Sequence, residues 1–449
     1  MNSTNKRYWL KSGTLNLLLN VQNLIFGFGS FFLLIRILNK HDFGVWALFV
    51  ATTTIFETAR NGLLQNALIR FLSASKKEHH APILSASFFI SGILTVFCIA
   101  LNFLLAGYLS KIWHSEVLVR MFYVYNIAYI FQGILFQFQW IEQAHLSYYG
   151  TVVSNMVRQG LFFSFVLFSF IFFPGISLLT LVYVQVGCLF FSMTVEYFFA
   201  RRHLSFSLDV QKKWVLELFH FGKYAFGTYI SAILSNTINQ MMLGAMVSAD
   251  AAGVYNVALR VTNIADIPTN AISTIVFPQS ARRFAEHGQG AGKYMFEKSV
   301  GTILALLIPV MALLFIFPHI VVNLIAGHKY SDTIPLIRII VLTCLINPFQ
   351  RLFGTILDSM GKPRVNFIVI TLFALVNLTL TYFFIGWFNI IGAVYATLIA
   401  DLAFLLVSQI ILWRLLGVNF FYPFIYAVRF YPEFYEQYVK PVYRKLKRA

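Results

Sequence analysis

Charge is what this sequence has least of. Only 11% of its 449 residues are Asp, Glu, Lys or Arg, where soluble domains carry about 25%. A water-facing globular surface is therefore excluded. Acidic residues are scarcer still, 17 against 34 Lys and Arg, for a formal charge of +17. Cysteine is nearly absent: Cys98, Cys188 and Cys344 each lie inside an apolar run, without CxxC or Cys/His spacing. That excludes a disulfide framework and gives a metal site no ligand set. Polar connections are short throughout, which leaves no room for an extramembrane catalytic domain. His79 and His80 sit in a loop without acidic or cysteine partners, and no nucleophile stands out. No cofactor, no metal and no enzymatic activity are expected.

What remains is apolar. Hydrophobic residues make up 59% of the chain, with 49 Phe against 7 Trp, and the mean hydropathy is +0.73. About 20 mostly apolar residues cross the hydrocarbon of a bilayer as a helix. Cutting at charge and at Gly/Pro punctuation yields twelve such segments: Gly13 to Leu38, Gly44 to Leu72, Ala81 to Tyr108, Val117 to Trp140, Tyr148 to Phe173, Ser177 to Phe199, Leu216 to Ser248, Gly253 to Pro278, Ser299 to Leu324, Ile334 to Asp358, Asn366 to Trp387 and Ile391 to Leu416. The basic start MNSTNKRYWLKSG has no small-residue cleavage site, so the first segment is expected to be a retained span.

Basic residues gather in alternate loops, at Lys6, Arg7 and Lys11; Lys76 and Lys77; Arg201, Arg202, Lys212 and Lys213; Arg282, Arg283 and Lys293; Lys362 and Arg364; and the end of the chain. The other loops offer little beyond Lys40, Lys111 and Lys329. The positive-inside rule then places both termini in the cytoplasm, which an even number of spans requires. This placement makes the basic excess a matter of topology and of anionic headgroups or substrate, with no nucleic acid partner. The tail 417–449 is aromatic, then basic, and interrupted by Pro423, Pro432 and Pro441. It reads either as an interfacial segment on the inner leaflet or as a frayed basic end.

The chain repeats itself. Slid without gaps so that Gly13 falls on Gly222, it also matches Gly44 to Gly253, Val45 to Val254, Thr53 to Thr262, Glu57 to Asp266 and Asn61 to Asn270. Gly and polar coincidences carry weight in an apolar chain. Six spans per half make the repeat parallel, and the longest polar connection, Arg201 to Trp214, separates the halves. The expected organisation is a six-helix lobe over 1–210, a second over 211–416, and the tail.

Polar residues then fall in stripes. On a helix Thr54, Glu57, Thr58, Asn61 and Gln65 share one arc of roughly 100°. Asn256, Arg260, Asn263, Asp266, Asn270 and Thr274 line up likewise in the eighth span. Asn16, Asn20, Asn23 and Gly27 do so in the first, and Thr228, Ser231, Ser235 and Asn239 in the seventh, with Asn236 and Gln240 beside them. A charge at the centre of a lipid-facing helix costs about 2.5–3.5 kcal/mol. The stripes are thus expected to face one another across a hydrated central cavity. Arg260, with no acid three or four positions away, is the strongest candidate for an anion, since a guanidinium fork matches phosphate oxygens. Glu57 and Arg60 either pair within their helix or take part in the site. Arg158 and Arg351 are further candidates or satisfied bundle residues. Asp358 and Asp401 read as capping or interface acids near helix ends.

Four strings, RILNKHDFGVWALF (Arg36 to Phe49), NGLLQNALIRF (Asn61 to Phe71), AGVYNVALR (Ala252 to Arg260) and DSMGKPRVNF (Asp358 to Phe367), resemble in order and spacing the O-antigen and capsule repeat-unit flippases. These belong to the multidrug/oligosaccharidyl-lipid/polysaccharide exporter superfamily. The resemblance reaches to about Leu416. It implies an all-α polytopic protein of about twelve transmembrane helices in two pseudo-symmetric lobes, the MATE-like fold. It also implies a bacterial inner-membrane transporter of undecaprenyl-pyrophosphate-linked oligosaccharide, working by alternating access through a cationic lumen. Substrate would meet Arg260, Arg60, Arg351, Arg158, Asn61 and Asn270, with Glu57 and Asp266 as gating or ion-coupling groups. Partners would be the lipid-linked oligosaccharide, membrane lipids and glycan polymerase machinery. Lipid II flippases, similar in fold, carry two further C-terminal spans. Drug exporters place an acid in the first span, where this chain has asparagines. A membrane glycan polymerase or ligase would need a catalytic constellation, and a scaffold would not need polar stripes.

Overall fold

The computed structural model describes residues 18–19, 21–145, 147–173, 175–205, 210–270, 272–273, 276, 289–360, 362–436 and 440; the side chains of 224–225, 228–236, 264, 289–291 and 363 are outside that description. Among the described residues all regular structure is helical. Each expected span has a helix at its place: α1 (Asn23–Ile37), α2 (Lys40–Ala74), α3 (His80–Ile112), α4 (Val117–Ala144), α5 (Tyr149–Phe172), α6 (Leu178–Ala200), α7 (Lys212–Met246), α8 (Ala249–Thr262), α9 (Gln289–Ile316), the short α10 (Pro318–Ile325), α11 (Thr333–Ser359) and α12 (Pro363–Leu416). A last helix, α13 (Tyr422–Phe434), lies in the tail.

The helix boundaries follow local chemistry. Asn39 caps α2, its side-chain oxygen accepting from the Asp42 N–H at 2.7 Å. Ser177 caps α6 in the same way, accepting from the Thr180 N–H at 3.1 Å. The eleventh and twelfth spans are joined within α12 at Asn389, whose φ of 53° and ψ of −133° break the helix without a loop. Gly417, at φ 66°, ends it in the left-handed conformation usual for a glycine cap. The eighth span is interrupted: α8 stops at Thr262 and a 3-10 turn covers Asn263–Ala265 before the chain is helical again over 266–270. Pro268 supplies the cause, since its ring crowds the carbonyl four residues earlier and it has no N–H to return.

Among the described residues seven helices are apolar and long enough to cross a membrane by those criteria alone: α3, α4, α5, α6, α9, α11 and the double-length α12. The striped α2 and α7 are each 35 residues, about 50 Å. They have the length but not the uniform apolarity. They are held by packing instead.

Two compact units make up the chain, Met1–Gly253 and Val254–Ala449. In the first, α2 packs along α7, α4 along α6, and α1 against α5. Glycine makes the closest contacts of α2. A β-carbon on Gly222 of α7 would stand 1.8 Å from the Leu63 carbonyl oxygen, and one on Gly44 of α2 would stand 1.9 Å from that of Ala249 at the start of α8. Lipid supplies no hydrophobic drive between helices, so backbones that approach this closely gain their cohesion from dispersion. Below the contact Leu64, Leu68, Leu72, Ile83, Ile141, Trp140 and Trp214 form an apolar cluster.

In the second unit α11 packs on α12 and on α9, and the tail helix α13 lies along α9. Asn419 N–H donates to Glu297 Oε1 at 2.8 Å and the Tyr431 hydroxyl to the Ala305 carbonyl at 2.6 Å. Gly301 faces Pro423 and Tyr426, while Val428, 72% exposed, points away from α9. The tail is thus a docked amphipathic helix over these residues. Its basic end, 441–449, lies outside the described residues.

Gly222→Val is expected to separate α2 from α7 and lower the thermal midpoint of the detergent-purified protein by several degrees, the usual result of overpacking by about 1–3 kcal/mol. Gly107→Ala, where a β-carbon meets nothing within 4 Å, is the control and should leave the midpoint unchanged.

Candidate functional site

On α2 the residues of the predicted stripe, Thr54, Glu57, Thr58, Asn61 and Gln65, all retain some exposure, as do Ile55, Phe56 and Ala59 beside them, while Thr52, Thr53, Leu63 and Leu64 are buried. The buried hydroxyls return to their own helix, Thr52 to the Leu48 carbonyl at 2.9 Å and Thr53 to Phe49 at 3.1 Å, as intramembrane Thr does. Arg60 departs from the stripe. It is 3% exposed and turned into the bundle, where Nη1 donates to the Tyr129 carbonyl at 2.9 Å and to Thr95 Oγ1 at 3.4 Å. Its Nη2 has no partner.

Gly133 makes this possible. It lies one turn beyond Tyr129 on α4, and a β-carbon there would stand 3.1 Å from Arg60 Nη1. Glu57, one turn before Arg60, takes its hydrogen bond from the Tyr125 hydroxyl at 2.6 Å. The two charges on neighbouring turns of α2 therefore answer to different residues of α4, although they still interact electrostatically. Arg158 on α5 reaches the same cluster through its field on Tyr125. Its Nη2 donates to Asn155 Oδ1 at 3.0 Å, and its Nε is buried without a partner. Asn61 likewise has a buried Oδ1 with no partner. Glu57, Arg60 and Arg158 are thus gathered around Tyr125 and Tyr129 in the first unit.

In the second unit Arg260, Asp266, Asn270 and Arg351 all have exposed side chains, and Asn256 is half-buried. Arg351, on α11, exerts its charge on Asp266. Next to it on α11, Gln350 donates through Nε2 to Asp401 Oδ1 at 2.9 Å. Asp401 is not near a helix end: the second limb of α12 runs from the break at Asn389 to Leu416, and Asp401 stands in its middle. Asp358 does sit at a helix end, accepting from Asn366 Nδ2 at 3.1 Å. The turn at Asn263–Ala265 means that Arg260 and Asp266 do not share one straight helical arc.

The first-span Asn16 and Asn20 and the eighth-span Thr274 lie outside the described residues, as do the side chains of Thr228, Ser231, Ser235 and Asn236. Asn23 of α1 is hydrogen-bonded to Gln159 of α5, and Asn239 and Gln240 are buried at 2% and 5%. Tyr125, Tyr129, Thr95 and Gly133 were not singled out in the sequence. Their signal is the string YNIAYIFQG, two tyrosines one turn apart followed by Gly one turn later.

Tyr125→Phe is expected to leave Glu57 without its donor and to cost about 1–3 kcal/mol of stability, read as a fall in the unfolding midpoint in detergent. Gly133→Ala should produce a loss of similar size by pushing Arg60 off the Tyr129 carbonyl, and Arg60→Met in that background should recover part of it.

Residues 33–335 match the family described as polysaccharide biosynthesis protein. The chain is 23% identical over 383 residues to the lipopolysaccharide biosynthesis protein WzxC of Escherichia coli K12, covering 84% of this chain and 74% of that one. It is 21% identical over 181 residues to the probable low-salt glycan biosynthesis flippase Agl15 of Haloferax volcanii, 40% of this chain and 38% of that one. Among solved structures, the lipid II flippase MurJ in an inward closed conformation aligns at a TM-score of 0.72 and 12% identity, covering 94% of this chain and 100% of MurJ. An inward-facing multidrug resistance MATE family transporter of the MOP superfamily aligns at 0.70 and 15%, covering 88% and 95%. At such identities the structural likeness speaks to fold alone. With the helical architecture above, it makes this a multi-pass membrane protein of the MATE-like fold, and the match over 33–335 means that the chain belongs to the polysaccharide biosynthesis protein family.

Proposed function

We propose that this protein is a flippase for lipid-linked glycans, moving undecaprenyl-pyrophosphate-linked repeat units of O-antigen or of capsule or exopolysaccharide across the bacterial inner membrane. The observation that carries the reading is the set of arginines placed among polar residues of apolar helices, within a family of polysaccharide biosynthesis proteins. A pyrophosphate cannot enter hydrocarbon without cations to replace its water. Guanidinium groups supply charge and paired donors in one plane. The names of WzxC, Agl15 and MurJ point to the same class of cargo.

In this proposal two six-helix lobes, 1–210 and 211–416, alternate access around a cationic cavity, with both termini in the cytoplasm and the tail 417–449 at the inner leaflet. Arg260 and Arg351 meet the phosphates together with Arg158 and Arg60, which offer the unpartnered Nε and Nη2. Asn61 and Asn270 meet sugar hydroxyls. Glu57 and Asp266, equivalent in the repeat, are the counter-ions that the substrate displaces, and so the gating groups. A glycan polymerase is the expected neighbour in the membrane.

The test is a deletion strain complemented with Arg260→Ala, Arg260→Lys or Arg60→Ala, scored for surface glycan and for lipid-linked repeat units held on the inner leaflet. One lost charge-assisted hydrogen bond, about 1.5–3 kcal/mol, corresponds to a fall of roughly 10- to 100-fold in transport. Arg260→Ala should show it and Arg260→Lys should retain part. Full surface glycan from all three variants at normal protein levels would remove these residues from the mechanism.

A further inference from the structure

The first unit also holds a pair of buried acids, remote in sequence from Glu57 and Arg60 and used by none of the roles above. Glu142 is in the last turn of α4 and Glu196 in the last turns of α6, and both are 0% exposed. Glu142 is supplied with donors by the start of α5: the Thr151 N–H reaches Oε2 at 3.1 Å and the Ser147 hydroxyl reaches Oε1 at 3.4 Å. Gly150 lets that turn close over the carboxyl, since a β-carbon there would lie 2.5 Å from Oε2.

Glu196 is placed differently. Its carboxyl lies beside those of Glu142 and the Ser154 hydroxyl, yet neither oxygen has a hydrogen-bond partner of good geometry. Ser154 is already engaged, accepting from Gln139 Nε2 at 3.2 Å and approaching the Thr151 carbonyl at 3.3 Å. Thr151 Oγ1 is also buried without a partner.

The charged surroundings are few. Arg202, on the exposed turn Arg201–His203 after α6, acts electrostatically on Glu142. Its Nε donates to His203 Nε2 at 3.1 Å. His203 stacks on His145 with ring centroids 4.0 Å apart, and His80, at the start of α3, meets His145 edge-on at 5.7 Å. Nothing among these provides Glu196 with a buried cation. Two ionised carboxylates side by side in a closed site would repel each other with neither desolvation compensated. One proton removes the conflict.

We propose that Glu142 and Glu196 form a binding site for a single proton, held on Glu196 and donated to the carboxylate of Glu142. The assignment follows from the donors: the Thr151 N–H and Ser147 hydroxyl favour the anion at Glu142, while Glu196, without donors, is the acid. The shared proton ties the end of α6 to the end of α4 and the start of α5. The linkage has a definite sign. An unfolded Glu is ionised near neutral pH, so the folded state binds the extra proton and its stability falls as pH rises.

The test uses the full-length protein in detergent and does not depend on what it transports. Infrared spectra of wild type at neutral pH should show the carbonyl stretch of a buried carboxylic acid, shifted in D2O and absent in Glu196→Gln. The unfolding midpoint of wild type should fall by a few degrees between about pH 6 and pH 9, and Glu196→Gln, whose amide still donates to Glu142 but cannot titrate, should lose that slope. Glu142→Gln, which removes the neighbouring charge but leaves Glu196 buried, should reduce the slope without abolishing it. Absence of the acid band, with a midpoint that rises on adding sodium, would mean that a cation holds two ionised carboxylates, and the proposal would fail. An unchanged pH slope in both variants would overturn it equally. Should the variants not accumulate, the band of glutamate-labelled wild type alone decides.

Discussion

Water is absent from the hydrocarbon of a bilayer, so each polar group that a helix carries into it is satisfied by protein or left unsatisfied at a cost of several kcal/mol. The first unit is arranged around that constraint. Arg60 brings five N–H donors to the middle of α2, and no neighbouring acid pairs with it directly. The bundle answers with a backbone carbonyl of α4, the Thr95 hydroxyl of α3, and a glycine that clears the way. Three helices are thereby fixed in rotation about their axes, because a turn of any one of them removes a partner. Arg60 is buried, while its neighbours Glu57 and Asn61 on the adjoining arc of α2 keep partial exposure.

Cohesion elsewhere comes from closeness. Apolar side chains gain nothing by leaving lipid for protein, whereas backbones in contact gain dispersion and place hydroxyls within reach of carbonyls. Gly44, Gly222, Gly253 and Gly301 are among the places where this occurs. A β-carbon on Gly253 would stand 3.0 Å from the Gly44 Cα. These two glycines fall on one another in the internal alignment of the sequence, and both lie in the first unit. A polar, striped helix such as α2 depends on contacts of this kind, since its own sequence does not commit it to lipid.

The helices were legible in the sequence because span length and apolarity are set by bilayer thickness, a constraint on each segment separately. The join at Asn389 is visible as the short gap between two apolar runs. The stripe on α2 was legible too, since periodicity decides which residues share a face. Periodicity does not say which neighbour a face meets, and here the sequence reading stopped. Arg60 lies just outside the striped arc, and only the position of α4 shows that it is enclosed. Tyr125 and Gly133 belong to another helix altogether. Pro268 was open to notice, and its effect on the eighth span is local physics that hydropathy hides. Asp401 was open to correct placement, since the twelfth segment, Ile391 to Leu416, holds it well inside, at odds with reading it as a helix-end acid.

The two units solve the same problem with different chemistry. Glu57 in the second span takes its hydrogen bond from Tyr125 in the fourth, and Asp266 in the eighth feels Arg351 in the tenth. Counted by span, the acid and its partner occupy equivalent helices in each half. A phenol donates without changing the charge of the cluster, so the carboxylate of Glu57 remains to balance Arg60 and Arg158. Arg351 acts on Asp266 through its charge. The helix pairing is thus common to both halves, while the group that answers the acid differs, a neutral phenol in one and a cation in the other. Arg60 is buried and held by the bundle and Arg158 is half-buried, whereas Arg260 and Arg351 are exposed.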